Sequence, residues 1–136
     1  MRGSLQSSYD ASQRDLTYCN AGHPAPILID ADGQRVASLT SQCLLIAATT
    51  AEHCTGQEHH AEVPRGGRLA LYTDGLIETF GREGRQWGAQ HLNKVLRETR
   101  PLPAEEAADG ILARAAEFAG DGGFQDDVTL ILIDFS

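Results

Sequence analysis

The feature that most limits the folds open to this chain is one apolar stretch, Arg68 to Gly75. Four residues of the kind that buried strands favour, Leu69 to Tyr72, end abruptly at a threonine, then Asp74 and Gly75. A strand with this ending delivers a carboxylate to the edge of a sheet. Taken alone, the Asp74–Gly75 pair has a plain alternative interpretation, a turn that ends the strand.

A second acidic cluster stands ahead of the last apolar run. Asp126 and Asp127 precede the strand-like residues 128–134. If the two strands are neighbours, Asp74 and Asp126 reach one cation, which removes the repulsion between carboxylates. Oxygen ligands without His or Cys nearby favour Mg²⁺ or Mn²⁺ over Zn²⁺. The sequence therefore predicts a divalent cation site, and for Asp127 the alternative to ligation is capping the start of the strand.

The pattern along the rest of the chain predicts strands, then two helices, then a last strand. The predicted elements are strands at 16–20, 27–30, 34–38, 57–63 and 68–73, helices from Ala89 and Ala104, and a strand at 128–134. Asp32-Gly33 predicts a hairpin, and strand 57–63 is expected to pair with the strand that ends at Asp74. The last strand is apolar on both faces, which predicts the middle of a sheet. This order indicates an α+β fold with helices on a mainly antiparallel sheet.

Composition narrows the class of protein. The 136 residues suffice for one domain, and 41% hydrophobic with 22% charged residues is ordinary for a globular protein. A net charge of −8 argues against nucleic acid and membrane surfaces as partners. The odd set Cys19, Cys43 and Cys54 argues against a disulfide framework, which favours the cytoplasm. The polar residues 1–15 are interpreted as a leader or frayed end, and Cys43 to Ala48 as either a short strand or a helical turn.

Four motifs together resemble a known family. They are Asn20 to Pro24, Leu71 to Gly75, Trp87-Gly88, and Asp126 to Thr129. In order and spacing they are similar to the C-terminal part of the metal-dependent protein phosphatases, the PPM family. The SpoIIE or RsbU branch, which dephosphorylates phosphoserine or phosphothreonine on bacterial anti-anti-sigma regulators, is the most similar. The resemblance assigns residues 16–136 to the C-terminal part of such a domain.

The resemblance implies an antiparallel β-sandwich flanked by helices, with two Mn²⁺ or Mg²⁺ ions that activate a water for attack on phosphorus. It implies that Asp74 and Asp126 are the catalytic acids and that the metal site comprises Asp74, Gly75, Asp126 and Asp127. Gly75 would let the backbone approach the metal shell closely. Asn20 and His23 match a loop motif near the substrate, although His23 has an alternative role as a hydrogen-bond donor that stabilises the loop.

Two family segments are absent from the sequence. The Asp-x-x-Gly-His-Gly segment, whose first Asp bridges both metals, does not occur, and residues 41–47 replace the Gly-Leu-Pro-Leu-Gly stretch. We therefore expect part of a protein-serine/threonine phosphatase that is incomplete at the N-terminus and acts on a phosphorylated regulatory protein. The alternative is a catalytically silent module that binds a partner. Exposed sheet edges predict a homodimer.

Overall fold

The computed structural model describes residues 4–40 and 58–136 of the chain. In chain order the elements are β1 (Ser4–Asp10), β2 (Asp15–Ala21), β3 (Ile27–Ile29), β4 (Val36–Ser38), β5 (His59–Glu62), β6 (Arg68–Tyr72), α1 (Asp74–Ile77), α2 (Gly88–Glu98), α3 (Ala104–Ala119), a 3-10 turn (Gly120–Gly122) and β7 (Leu130–Asp134). Cys43, Cys54 and the stretch from Cys43 to Ala48 lie outside the described residues. Within the described ranges, no helix has the length and apolar character that a bilayer crossing requires.

The first sheet contains three antiparallel strands in the order β1-β2-β5. Residues 4–15 belong to it, so the prediction that they are a leader or frayed end is wrong. β1 pairs with β2 from Ser4↔Ala21 to Asp10↔Asp15. Leu5 and Tyr9 share one face of β1 and pack on the core, while the residues between them are mainly small and polar and hide the strand pattern.

The second sheet contains four antiparallel strands in the order β4-β3-β6-β7. The hairpin predicted at Asp32-Gly33 is confirmed, because β3 and β4 pair across it. Gly33 has a φ of +74°, a backbone conformation that glycine adopts without strain. The Asp30 carboxylate accepts hydrogen bonds from the backbone N–H groups of Gln34 and Arg35 and so closes the loop.

Two predicted strand positions differ from the structure. β5 pairs with β2 in the first sheet rather than with β6, because the turn at 64–67 carries the chain from one sheet to the other. Strand β7 pairs with β6 at the edge of the second sheet, not at its middle, within the described residues. Its outer residues Ile131 and Ile133 are 48% and 39% exposed. Apolar character on both faces of β7 therefore did not indicate a central strand.

The core has two layers. One cluster fills the space between the second sheet and the helices, and includes Ile29, Trp87, Leu92 and Ile111. The other lies between the two sheets and includes Leu16, Leu28 and Leu69. The order of layers is therefore helices, second sheet, first sheet, which confirms the predicted α+β class with an antiparallel sandwich and flanking helices.

Both long helices present the predicted apolar faces to the second sheet. Leu92, Val95 and Leu96 of α2 are buried, and Ala107, Ile111 and Ala115 of α3 are buried as well. The helix α3 ends at Gly120, whose φ of +67° terminates the helical path. These helices fix the second sheet from one side and leave its strand ends accessible.

An ion pair between a buried arginine and a half-exposed aspartate holds the end of the second sheet where β6 begins. The Arg68 side chain is 1% exposed and donates to both oxygens of the Asp134 carboxylate, at 2.6 and 2.9 Å. It also donates to the Leu102 carbonyl at 2.8 Å, which ties the sheet to the connection between α2 and α3. These hydrogen bonds from Arg68 hold the pKa of Asp134 below its usual value.

Candidate metal centre

The first predicted metal ligand, Asp74, lies directly beyond the end of β6. Tyr72 is the last buried residue of the strand, and Asp74 begins the short helix α1 with its side chain exposed to solvent. The Glu78 backbone N–H donates to the Asp74 carbonyl at 2.9 Å, which closes this single helical turn. The strand therefore delivers the Asp74 carboxylate to the edge of the sheet, as the sequence predicts.

Hydrogen bonds between Thr73 and the segment before β7 bring the second acidic cluster to the same edge. The Thr73 backbone N–H donates to the Thr129 carbonyl at 3.1 Å, and the Thr129 N–H donates to the Thr73 hydroxyl oxygen at 3.0 Å. The Thr73 hydroxyl also donates to the Asp127 carbonyl at 3.3 Å. Asp126 and Asp127 are thereby held beside the end of β6.

Gly75 permits the closest approach in this region. A Cβ atom at position 75 would lie 2.2 Å from the Asp127 carbonyl oxygen and 3.1 Å from its carbonyl carbon. No side chain larger than hydrogen fits against the backbone at such distances. Gly75 therefore contributes through the space that it leaves for the Asp126–Asp127 segment.

The carboxylates at this edge have no basic partner among residues 4–40 and 58–136. Asp74, Asp126 and Asp127 are all exposed, and within the described residues none of them forms an ion pair. Asp126 accepts one hydrogen bond, from the Asp127 backbone N–H at 2.7 Å. Burial raises the pKa of the neighbouring Tyr72, and the charge on Asp74 raises it further. The edge is thus locally negative, as a cation site requires.

The donors present agree in kind with Mg²⁺ or Mn²⁺ but are few. Both ions prefer oxygen ligands, which carboxylates and the nearby carbonyls supply. Across residues 4–40 and 58–136, however, no group of three or more His, Cys, Asp or Glu side chains is arranged to hold a metal ion. The described residues therefore do not form a complete ligand set by themselves.

The loop that follows β2 and contains His23 packs against the strand that leads to Asp74, and Asn20 near the end of β2 is bonded to it. The Tyr72 hydroxyl donates to the Ala25 carbonyl of this loop at 2.9 Å. Asn20 is 5% exposed, and its side-chain amide donates to the His23 carbonyl and accepts from the His23 N–H, both at 2.9 Å. Asn20 therefore shapes the loop that follows β2.

The His23 ring has a defined hydrogen bond. Its Nδ1 lies 2.8 Å from the Pro24 carbonyl oxygen, which can only accept, so Nδ1 carries the proton. This contact agrees with the alternative prediction that His23 stabilises its own loop.

Three residues that organise the centre were not identified from the sequence. They are Thr73 and Thr129, which bond to each other, and Gln125, whose side-chain oxygen accepts from the Phe80 N–H at 3.1 Å. The two threonines occur inside the motifs that contain Asp74 and Asp126. Thr73 directly precedes Asp74, and Thr129 follows Asp127 by two residues, so a threonine close to the acid in both motifs was the signal that could have identified them.

Solved structures with this fold define the class of the chain. The SiaA-PP2C domain of Pseudomonas aeruginosa superposes with a TM-score of 0.75 at 22% identity, covering 91% of this chain and 48% of that one. The manganese-presoaked phosphatase domain of the cell fate determinant SpoIIE from Bacillus subtilis gives 0.69 at 15% identity, covering 97% and 56%. The RsbU and RsbW domains of a Mycobacterium tuberculosis protein give 0.63 at 25% identity, covering 94% and 34%. The fold is that of PP2C-type phosphatase domains.

The family follows from the sequence match. The family described as Stage II sporulation protein E (SpoIIE) matches residues 4–136, so the chain belongs to the SpoIIE family. This confirms the predicted resemblance, and the match includes β1. The chain spans about half the length of the first two solved domains, 48% and 56%.

Proposed function

We propose that this chain forms the part of a metal-dependent protein-serine/threonine phosphatase domain that supplies two metal-binding acids, Asp74 and Asp126. The observation that carries the proposal is the junction of β6 with the segment before β7. There Thr73 bonds to Thr129, and Gly75 admits the Asp127 backbone. Membership of the SpoIIE family and the PP2C-type fold support the same function.

Two residues of the junction would bind the cation, and the others position them. Asp74 and Asp126 would bind the cation through their carboxylates, since both are exposed and lack a basic partner in the described part of the chain. Gly75 and Thr73 hold the segment that carries Asp126, and the Asp127 carbonyl faces Gly75. When bound, Mn²⁺ or Mg²⁺ lowers the pKa of a water and neutralises charge on the phosphoryl oxygens.

The proposed substrate is a phosphoserine or phosphothreonine on a bacterial regulatory protein of the anti-anti-sigma type, in the cytoplasm. The support is the family, together with the similarity to RsbU and SpoIIE domains. Asn20 and His23 would act by shaping the loop beside the site, because their hydrogen bonds stay within that loop.

Metal binding is the first test. Calorimetric titration of Mn²⁺ into the chain should give a binding signal that the Asp74→Asn, Asp126→Asn variant lacks. A variant with Glu106→Gln and Asp109→Asn removes the same charge from the exposed face of α3 and should bind as the wild type does. Equal binding by all three proteins would reject the assignment of the two acids.

Activity is the second test. A longer protein that contains this chain should release phosphate from a phosphoserine peptide with Mn²⁺, and Asp74→Asn should abolish the release. Full activity in that variant would contradict the proposed role of Asp74.

One observation favours a second function, partner binding without hydrolysis. The described residues hold no cluster of three metal-ligating side chains. An inactive longer protein at saturating Mn²⁺ that still binds a partner with measurable affinity would support this function over the first.

We also propose that the chain forms a homodimer through β7. This strand lies at the edge of the second sheet within the described residues, and it exposes Ile131 and Ile133. Unpaired strand edges with apolar side chains favour association. Light scattering should show a dimer that Ile131→Lys weakens, and a monomer at high concentration would reject the proposal.

A further inference from the structure

A cleft of about 560 Å³ lies between the loop that follows α1 and the helices α2 and α3. We call this loop, residues 80–86, the flap loop. A bridge between Phe80 and Gln86 closes it, and the Gly81 N–H donates to the Arg85 carbonyl at 2.8 Å. None of the residues that line the cleft belongs to the candidate metal centre.

The floor of the cleft is aromatic. The flap loop approaches Phe118 so closely that a Cβ on Gly81 would lie 2.8 Å from the Phe118 ring. The His91 ring contacts Phe118 with the centroids 5.8 Å apart. His91 donates from Nδ1 to the Trp87 carbonyl, so its Nε2 stays available to a ligand. The floor can therefore receive an apolar side chain and one polar group.

The walls carry four charged side chains. Arg82 and Arg85 are exposed and form no ion pair within the described residues, although the chain carries a net charge of −8. Glu83 and Glu117 also line the cleft and are equally without an ion-pair partner in that part of the chain. Two arginines attract a carboxylate, and the two glutamates disfavour a continuous run of acidic residues. The complementary ligand therefore has an isolated acidic side chain beside an apolar one.

The position of the cleft relates it to the metal centre. The Phe80 N–H donates to Gln125, the residue before Asp126. On the other side of the flap loop, Arg82 lies over Gly120, where a Cβ would come within 2.9 Å of the Arg82 Nε atom. The flap loop is thus seated on the segment that leads to Asp126. A protein chain whose phosphorylated residue reaches Asp126 would place its neighbouring residues across this loop.

We propose that the cleft binds the peptide segment that flanks the phosphorylated residue of the substrate. A carboxylate of that segment pairs with Arg82 and Arg85, and an adjacent apolar side chain lies on Phe118. This inference rests on the proposed phosphatase function for the identity of the peptide. The binding chemistry itself rests on the cleft alone.

The test is an NMR titration of the ¹⁵N-labelled chain with two unphosphorylated peptides, Gly-Ser-Leu-Glu-Gly-Ser-Gly and the same peptide with Gln in place of Glu. The Glu peptide should shift the amides of the flap loop and should bind at least fivefold more tightly than the Gln peptide. The variant with Arg82→Ala and Arg85→Ala should lose this preference. The variant with Arg65→Ala and Arg97→Ala removes two exposed arginines elsewhere and should keep it.

Two results would overturn the proposal. One is equal affinity for the Glu and Gln peptides in the wild-type chain. The other is a shift of the same amides by inorganic phosphate at the same concentration as the Glu peptide. That result would make the cleft a simple anion site. The titration is independent of catalysis, because the peptides carry no phosphate and the buffer contains no Mn²⁺. If the Glu peptide binds as expected and the phosphatase tests fail, only the proposed function is rejected.

Discussion

Replacing Gly75 with alanine should push the segment that carries Asp126 away from the end of β6 that carries Asp74. The new Cβ would lie 2.2 Å from the Asp127 carbonyl oxygen, so backbone must move by about 1 Å to reach ordinary contact. Neither side of this contact is a flexible side chain that could yield. A displacement of that size breaks the bonds of Thr73 to Thr129 and Asp127, now 3.0 to 3.3 Å long. With roughly 1 kcal/mol for each bond, the free energy of unfolding should fall by about 2–3 kcal/mol.

Urea unfolding followed by the fluorescence of Trp87 measures this loss. Trp87 is the only tryptophan and is 3% exposed in the helix-side core. Gly122→Ala is the matched control, because a Cβ there meets no atom within 4 Å, and its effect should stay within about 0.5 kcal/mol. Mn²⁺ binding should weaken in Gly75→Ala and not in the control. Wild-type stability and wild-type Mn²⁺ binding in Gly75→Ala would refute the reasoning.

Two further predictions concern the ends of the second sheet and the loop beside the site. Asp134→Asn should lower the free energy of unfolding at pH 7 by about 2 kcal/mol, because the buried Arg68 loses its counter-charge while solvent screens the half-exposed partner. Arg68 lowers the pKa of Asp134 from 3.8, so the difference in the free energy of unfolding between wild type and variant should hold above about pH 4 and shrink as the pH falls further. Urea titrations in which this difference grows below about pH 4 would contradict the prediction. Asn20→Ala should cost about 1–3 kcal/mol by breaking two hydrogen bonds to His23, and Asn20→Asp should cost more because it places a buried carboxylate against the His23 carbonyl oxygen. Equal losses of stability in Asn20→Ala and Asn20→Asp would contradict this expected difference.

The sequence correctly predicted the helices and turns whose structure depends on residues close together in the chain. The apolar spacing of Leu92, Val95 and Leu96 is a property of one helix, and all three side chains are buried as expected. Asp32-Gly33 predicted the hairpin because turn residues act locally, although the connection is the longer loop 30–35 rather than a two-residue turn. The Thr73-Asp74-Gly75 ending placed a carboxylate at the sheet edge for the same reason.

Pairing between distant strands was harder to predict. The pairing of β5 with β2 joins segments more than 40 residues apart. We predicted that β5 pairs with β6, because β6 follows β5 after a short turn. Similarly, β1 has the small polar residues of a terminal segment and becomes a strand through its pairing with β2. Propensity in a strand depends on its neighbours in the sheet, which a single sequence does not display.

The register of β6 and β7 explains why the two acidic motifs meet. Tyr72 pairs with Leu130, so an antiparallel continuation places Thr73 opposite Thr129, as their hydrogen bonds show. Asp74 then begins α1 while the opposing chain turns towards Asp126, and Gly75 leaves room for that turn. A slip of one residue would exchange the two faces of β7 and bring its exposed Ile131 into the helix-side core. Packing of Leu130 and Leu132 against that core therefore fixes the register, and the register fixes the distance between the acids.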